Sequence, residues 1–267
     1  MQKQSRRNFI RTSSFGLGAA IIPGTLNSCL NLSKKITHIV SLSFDDGFEK
    51  SSIKTTEIFE KYKLSACINV IASAHENLFE LPNQYHACPV GDFDLWNELQ
   101  ARGHEIMPHS LKHTNLREAP LEEAKELVEK CLDIFDNKLD SFDRSTAIFN
   151  FPYNQSSPEI EEWILQEVMA FRTGGPEINS LPYEGMARLT CTSYGPENID
   201  AHLESRIQNL LALPEGWLIY NTHGLDDEGW GPVSSAYLDE LLARMSELDH
   251  VAVLPVGQAL MQTHPNR

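Results

Sequence analysis

The chain has 267 residues, 41% of them hydrophobic, and carries 22 Lys+Arg against 37 Asp+Glu for a net charge of −15. That length suits either two small domains or one α/β unit of about 250 residues, and the apolar fraction is ample for a core. The acidic balance argues against nucleic acid and against polyanionic ligands, which need a basic footprint; otherwise it reads as a surface that keeps the protein soluble.

The N-terminus stands apart from the rest. "SRRNFIR" at 5–11 places Arg6-Arg7 ahead of Phe9 and Ile10, and the mild apolar stretch "FGLGAAIIPGTL" follows. This resembles a twin-arginine export signal, and Leu26-Asn27-Ser28-Cys29 after it resembles a bacterial lipoprotein cleavage box. The apolar run is too short and glycine-rich for a membrane span. The expected division is a signal peptide at 1–28, a linker at 29–35 and a folded domain at 36–267. It implies an exported protein, in the periplasm or at the cell surface, with a lipid anchor at Cys29. The other cysteines, Cys67, Cys88, Cys131 and Cys191, have spacings that fit no zinc-ribbon or redox pattern. Buried, inert thiols are the default for them.

Beyond the linker, strand-like and helix-like segments alternate. "ITHIVSLSF" (36–44) is a β-branched apolar run, and "SSIKTTEIFEKYK" (51–63) has Ile53, Ile58, Phe59 and Tyr62 at near-helical spacing. "SACINVIAS" (65–73) reads as strand, "FDLWNELQARG" (93–103) as a helix with a glycine stop, and "HEIMPHS" as the next strand. The long loop at 74–92, with Pro82, His86, Pro89 and Gly91, has the length of a functional loop. "LEEAKELVEKCLDIFDNKL" (121–139) is an amphipathic helix and "TAIFNF" (146–151) a strand; "EIEEWILQEV", "AFRTG" and "RLTCTSY" follow. Helix 198–213, strand 217–223, helix 234–248 and strand 251–256 complete the chain. Such alternation, with no repeat, predicts a parallel α/β sheet, and about seven strands suit barrel-like closure.

The polar clusters fall at the C-terminal ends of these strands. Asp45-Asp46 follows the first, His109 and His113 the third, Pro152-Tyr153 the strand "IFNF", and His223 ends "WLIYNTH". In parallel α/β folds those ends share one face, where active sites form. Two histidines at i and i+4 face one way if the segment turns helically. Two imidazoles and one carboxylate form a three-ligand set that leaves a position open for water, as catalytic zinc sites do. The metal would activate that water, one aspartate would be free to act as base, and His223 is a candidate acid. Alone, an i,i+4 histidine pair is more often surface or core, and Asp-Asp-Gly more often a turn. Their order, each after a strand, reverses those odds.

"SFDDG", "HSLKH", "FPYN" and "THG", in that order over residues 36–260, resemble the successive motifs of the polysaccharide deacetylase superfamily, carbohydrate esterase family four (the NodB-homology domain). The resemblance implies a single-domain distorted (β/α) barrel with a divalent metal, usually zinc, that removes N- or O-acetyl groups from glycans. By position, Asp45 resembles the catalytic base and Asp46 the aspartate ligand. His109 and His113 resemble the histidine ligands, His223 the catalytic acid, and the Tyr153 backbone N–H the oxyanion donor. Three departures stand out. Asn150 occupies the place of an arginine that orients the catalytic aspartate, Asn221 that of a leucine lining the acetyl pocket, and no Asp-Trp pair matches the fourth motif. Arg172 is therefore expected to reach Asp45 from the next strand end, with Arg188 as second choice.

Other residues have plainer readings. His104 reads as a structural histidine, and Trp96 and Trp163 as core. Trp230, glycine-flanked just after His223, suits either sugar stacking or a loop anchor. The resulting expectation is a metal-dependent deacetylase of an acetylated glycan, with Pro152, Tyr153, Asn150, Arg172 and Trp230 around the substrate. The alternatives are an amidase-like hydrolase of another small substrate and a non-catalytic glycan-binding protein on the same fold.

Overall fold

The structure, a computed structural model, describes residues 35–76, 79, 81 and 84–262. The export signal, the cleavage box and Cys29 lie outside the described residues, as does Pro82.

Strand β1 (His38–Phe44) is buried at every position, as a strand covered on both faces must be. Strand β8 (Gly216–Thr222) runs parallel along its whole length, from His38↔Gly216 to Phe44↔Thr222. On the other side, β2 (Cys67–Val70) pairs with the C-terminal half of β1, and β3 (Glu105–Pro108) pairs with β2. A second parallel sheet has the order β4 (Ile148–Asn150), β5 (Ala170–Gly174), β7 (Arg188–Cys191). The two sheets join where Thr192 N–H donates to Ile219 O at 3.1 Å and Asn221 N–H donates to Thr192 O at 2.8 Å. Strands β1, β2, β3, β4, β5, β7 and β8 thus succeed one another around a distorted ring, the α/β architecture that the motif order implies. Between β3 and β4 side chains take the place of a ladder: Ile148 N–H points to Met107 Sδ at 3.5 Å, and Asn150 Nδ2 donates to Pro108 O at 3.3 Å.

Two short strands fall outside the ring. β6 (Ile178–Asn179) runs antiparallel to β8, and β9 (Val251–Val253) parallel to the start of β1. The expected strand 251–256 therefore ends early. Pro255 lacks the N–H that a ladder needs and instead caps helix α7 (Val256–Met261).

The remaining helices are α1 (Glu49–Lys61), α2 (Phe93–Ala101), α3 (Leu121–Lys138), α4 (Pro158–Ile164), α5 (Asp200–Leu211) and α6 (Ser235–Ser246). Each lays an apolar stripe on the strands; on α3 that stripe is Ala124, Leu127, Val128, Cys131, Leu132 and Phe135, the three-and-four spacing of one helix face. Trp96 is buried in the same core, and Trp163 lies partly buried against it.

Candidate active site

The step from β1 to α1 explains Asp45-Asp46-Gly47. Asp45 N–H still bonds to Thr222 O at 2.8 Å, continuing the ladder. Asp46 and Gly47 then take φ of 71° and 75°, left-handed conformations that Asp tolerates and Gly favours. This turn keeps both carboxylates buried at the strand end, at 2% and 3% exposure.

The histidines arrive differently from the helical spacing expected of them. His109 N–H bonds to Val70 O at 2.8 Å, still in strand register. No helix follows; Ser110 and His113 adopt φ of 67° and 57°, and Ser110 Oγ accepts from His113 N–H at 3.0 Å. That tight loop, rather than a helical turn, brings the two rings together with centroids 5.2 Å apart. His109 Nε2 lies 3.5 Å and His113 Nε2 3.4 Å from Asp46 Oδ1.

One ligand atom from each of Asp46, His109 and His113 lies within 4.8 Å of the others. Asp46 Oδ1 and His109 Nε2 are buried and have no hydrogen-bond partner among the described residues. Such atoms are costly unless something fills their lone pairs, and a divalent cation does so. His109 Nδ1 meets Asn150 O at 2.9 Å, which puts a proton on Nδ1 and leaves Nε2 free to ligate. Burial, against the opposing pull of Asp45, brings His109 down to about 4, so it is neutral at pH 7 as a ligand must be. The residues present therefore fit a metal ion.

Asp45 is anchored by a polar layer inside the ring. Arg172 forks onto it, Nη1 to Oδ1 at 3.0 Å and Nη2 to Oδ2 at 2.5 Å. Asn69 Nδ2 donates to Oδ1 at 2.7 Å, Asn221 Nδ2 to Oδ2 at 2.5 Å, and Ser43 Oγ to Oδ1 at 3.3 Å. Strand register creates this layer: Ser43 pairs with Asn221 across β1 and β8, and Asn150 with Arg172 across β4 and β5. Burial alone would raise the Asp45 carboxyl. The Arg172 charge, with help from His109 and His223, outweighs it and holds the group well below the usual carboxylate range.

The orienting arginine that the resemblance implies at position 150 is thus supplied from the neighbouring strand. Asn150 itself reaches Asp45 only at second hand, donating to Asn69 Oδ1 at 3.0 Å. Arg188 instead pairs with Glu161 at 3.0 Å near the surface. His104 accepts from Ala66 N–H at 3.0 Å where β2 and β3 begin, at the strand ends away from the site, a structural histidine.

A cleft of about 610 Å³ opens above Asp45, Asp46, His109 and His113. Tyr153, Asn154, Gln155, Ser193, Asn221, His223 and Trp230 are among its walls. Gln84 and Tyr85 from the long loop 74–92 also line it. Asn150, Pro152 and Arg172, expected around the substrate, lie buried beneath the cleft instead. Tyr153 sits at φ 58° in a short 3₁₀ turn, its ring 4.6 Å from that of His113. Its backbone N–H donates to no protein group among the described residues. Gly174 lets that turn close, because a Cβ there would stand 2.8 Å from Asn154 O. Trp230 meets the edge of the His223 ring at 5.3 Å. The loop carrying both is tied to α1, where Ser51 N–H and Oγ donate to the buried Glu228 carboxylate at 2.8 and 2.5 Å.

Sequence reasoning missed Ser43, Asn69 and Asn154. Ser43 and Asn69 did carry a signal, as polar residues inside apolar strands.

A family model described as polysaccharide deacetylase matches residues 33–168, half of the chain. Among solved structures, the Xyl-CE4 domain of a multidomain xylanase from the hindgut metagenome of Trinervitermes trinervoides aligns at 14% identity, over 87% of this chain and 93% of that one, with TM-score 0.56. A family 4 acetyl xylan esterase from Clostridium thermocellum, solved with a cobalt ion, aligns at 15% identity over 86% and 93%, with TM-score 0.56. Peptidoglycan deacetylase PdaC from Bacillus subtilis aligns at 17% identity over 86% and 92%, with TM-score 0.54. At such identities the likeness is one of fold. No curated protein matches the chain in sequence. With the family model spanning half the chain and these structures sharing its α/β fold, the chain belongs to the polysaccharide deacetylase family.

Proposed function

We propose that this protein is a metal-dependent hydrolase that removes N- or O-acetyl groups from a glycan outside the cytoplasm. The observation that carries the reading is the pair of orphaned, buried ligand atoms, Asp46 Oδ1 and His109 Nε2, at the floor of an open cleft. With His113 they would hold one divalent ion, and two imidazoles with a carboxylate suit zinc. Bound there, the ion would supply Lewis-acid polarisation of the acyl carbonyl and a water of lowered pKa.

The chain's own groups do the rest. The Tyr153 N–H, without another partner among the described residues, donates to the oxyanion that develops as the acyl carbon becomes tetrahedral. Asp45, ionised and fixed by Arg172 beside the ligand trio, acts as the base that takes the proton of the attacking water. His223, in the cleft wall with its Nδ1 buried and unpartnered among the described residues, can move a proton to the leaving group. The edges of Trp230 and Tyr153, with the amides of Gln84, Asn154 and Gln155, offer a neutral, partly aromatic wall to a sugar.

The substrate class draws on fold relatives whose names are acetyl xylan esterase and peptidoglycan deacetylase. Location outside the cytoplasm draws on Arg6-Arg7 and on Cys29, proposed as export signal and lipid anchor. Among the described residues no helix is long and apolar enough to cross a membrane. Acetate release from chitin oligomers, peptidoglycan fragments and acetylated xylan tests the reading. Release from at least one supports it; inertness of the zinc-loaded protein toward all three refutes it.

A further inference from the structure

Just past β7 the backbone runs parallel to β8, where Thr192 meets Tyr220. The segment 193–196 therefore emerges beside Asn221 and His223, on the face that carries the cleft, and Ser193 and Pro196 line it. Two loops are joined there. Gly231 N–H donates to Pro196 O at 3.0 Å. Gly195 lies so close to Trp230 that a Cβ would stand 2.7 Å from Cε2, and Gly231 has no room for a Cβ against Tyr194 O. Tyr194 is thus fixed to the loop that carries Trp230.

Its ring lies outside the cleft. Among the described residues Tyr153, Tyr183 and Tyr194 are at least half exposed. Tyr153 is in the cleft wall, and Tyr183 precedes β7, at the far end of that strand. Tyr194 is the one of the three that follows its strand on the cleft side without lining the cleft. One face of its ring lies flat on His202, with centroids 4.5 Å apart and planes 13° from parallel. His202 on α5 is held in turn, because its Nδ1 meets the hydroxyl of the buried Tyr220 at 2.8 Å. With one face covered and the residue 52% exposed, the other face is open to solvent.

A backed, open aromatic face suits a sugar. A pyranose ring presents C–H bonds that stack on tyrosine while its hydroxyls stay in water. Because the tyrosine ring is already held, little ordering entropy is lost on binding. No ion is selected at this place: Arg206, the cation that acts on His202, is taken by Glu177. Between Tyr194 and the ligand trio the cleft wall offers Pro196 and Trp230, and no Lys or Arg lines the cleft among the described residues.

Resting on the glycan hydrolase reading above, we propose that Tyr194 is a sugar platform outside the catalytic cleft. It holds a further residue of the same neutral chain whose acylated sugar lies over the ligand trio, and so makes the protein prefer long chains to short ones.

The test compares chain lengths. The zinc-loaded full chain and its Tyr194→Ala and Tyr194→Trp variants are assayed on a dimer and a hexamer of N-acetylglucosamine and on the matching pair of acetylated xylo-oligomers. Circular dichroism and zinc content establish that each variant is folded and loaded. On a pair that the wild type turns over, Tyr194→Ala should raise KM for the hexamer by about 3–10-fold, the worth of one aromatic stack. Its kcat and the KM for the dimer should stay within about twofold of wild type, and Tyr194→Trp should restore the hexamer. Equal shifts in KM for dimer and hexamer, a fall in kcat alone, or no shift would overturn the platform. If the wild type turns over neither pair, the hydrolase reading falls, and calorimetric binding of the intact hexamers decides the platform separately. Weaker binding to Tyr194→Ala than to wild type keeps it; equal binding to both, or none to the wild type, overturns it.

Discussion

Arg172 grips Asp45 end-on, with one bond to each carboxylate oxygen, and both side chains are buried, Arg172 at 0% exposure and Asp45 at 2%. The pair spans the molecule, because Asp45 follows β1 in one sheet while Arg172 sits on β5 in the other. It ties a charge at the site to the middle strand of the second sheet.

Breaking it should be costly. Arg172→Ala leaves the Asp45 charge buried and uncompensated, a loss of about 3–5 kcal/mol for pairs of this kind. Urea unfolding measures it directly. Arg172→Lys should recover only part of the loss, since an ammonium cannot fork onto both oxygens. Hydrolysis should fall in both variants while bound metal stays. Wild-type stability in Arg172→Ala would mean that the surrounding amides suffice alone.

The metal trio predicts about one divalent ion per chain. His109→Ala or His113→Ala should strip most of it, because two remaining ligands hold a metal far less well than three. Elemental analysis after gel filtration reads the outcome. Equal metal in wild type and variants would place the ion elsewhere.

Much of this site was legible before any coordinates. Asp45-Asp46-Gly47, His109, His113 and His223 each follow an apolar run, and parallel strands bring such ends to one face. Arg172 was reachable by asking what could replace a missing charge at Asn150. Asn69 and Ser43 showed only as polar residues inside apolar strands; that they meet Asp45 depends on register, which places β1 and β2 side by side only once the sheet exists. The histidine loop also escaped. Spacing of four suits a helix, but left-handed backbone at Ser110 and His113 achieves the same convergence in a turn. Helix α7 was hidden in "VAVLPV", where only the proline marks the switch from strand to helix.

Thiol chemistry should separate the cysteines. Burial pushes the Cys67 and Cys131 thiols up and brings Cys191 to about 11, so thiolate, the reactive form, is scarce at pH 8. Cys88 is only partly buried. A maleimide pulse at pH 8 on protein with Cys29 replaced should label Cys88 first, as read by peptide mass spectrometry. Rapid labelling of Cys67 or Cys191 in folded protein would mean that the ring opens readily.

Location can be tested independently of chemistry. Arg6→Lys with Arg7→Lys should leave the precursor in the cytoplasm, and Cys29→Ser should release a soluble exported form. Membrane fractionation and precursor size read both. Unchanged membrane association of Cys29→Ser would remove the lipid anchor and leave export standing.

The most direct measurement is acetate release from a glycan that the wild-type protein turns over, followed while zinc is added back to chelated protein. The hydrolase reading predicts no release without metal, recovery in proportion to zinc up to about one ion per chain, and no recovery in His113→Ala at that stoichiometry. Full release from chelated, metal-free protein, or equal recovery in His113→Ala, would contradict it.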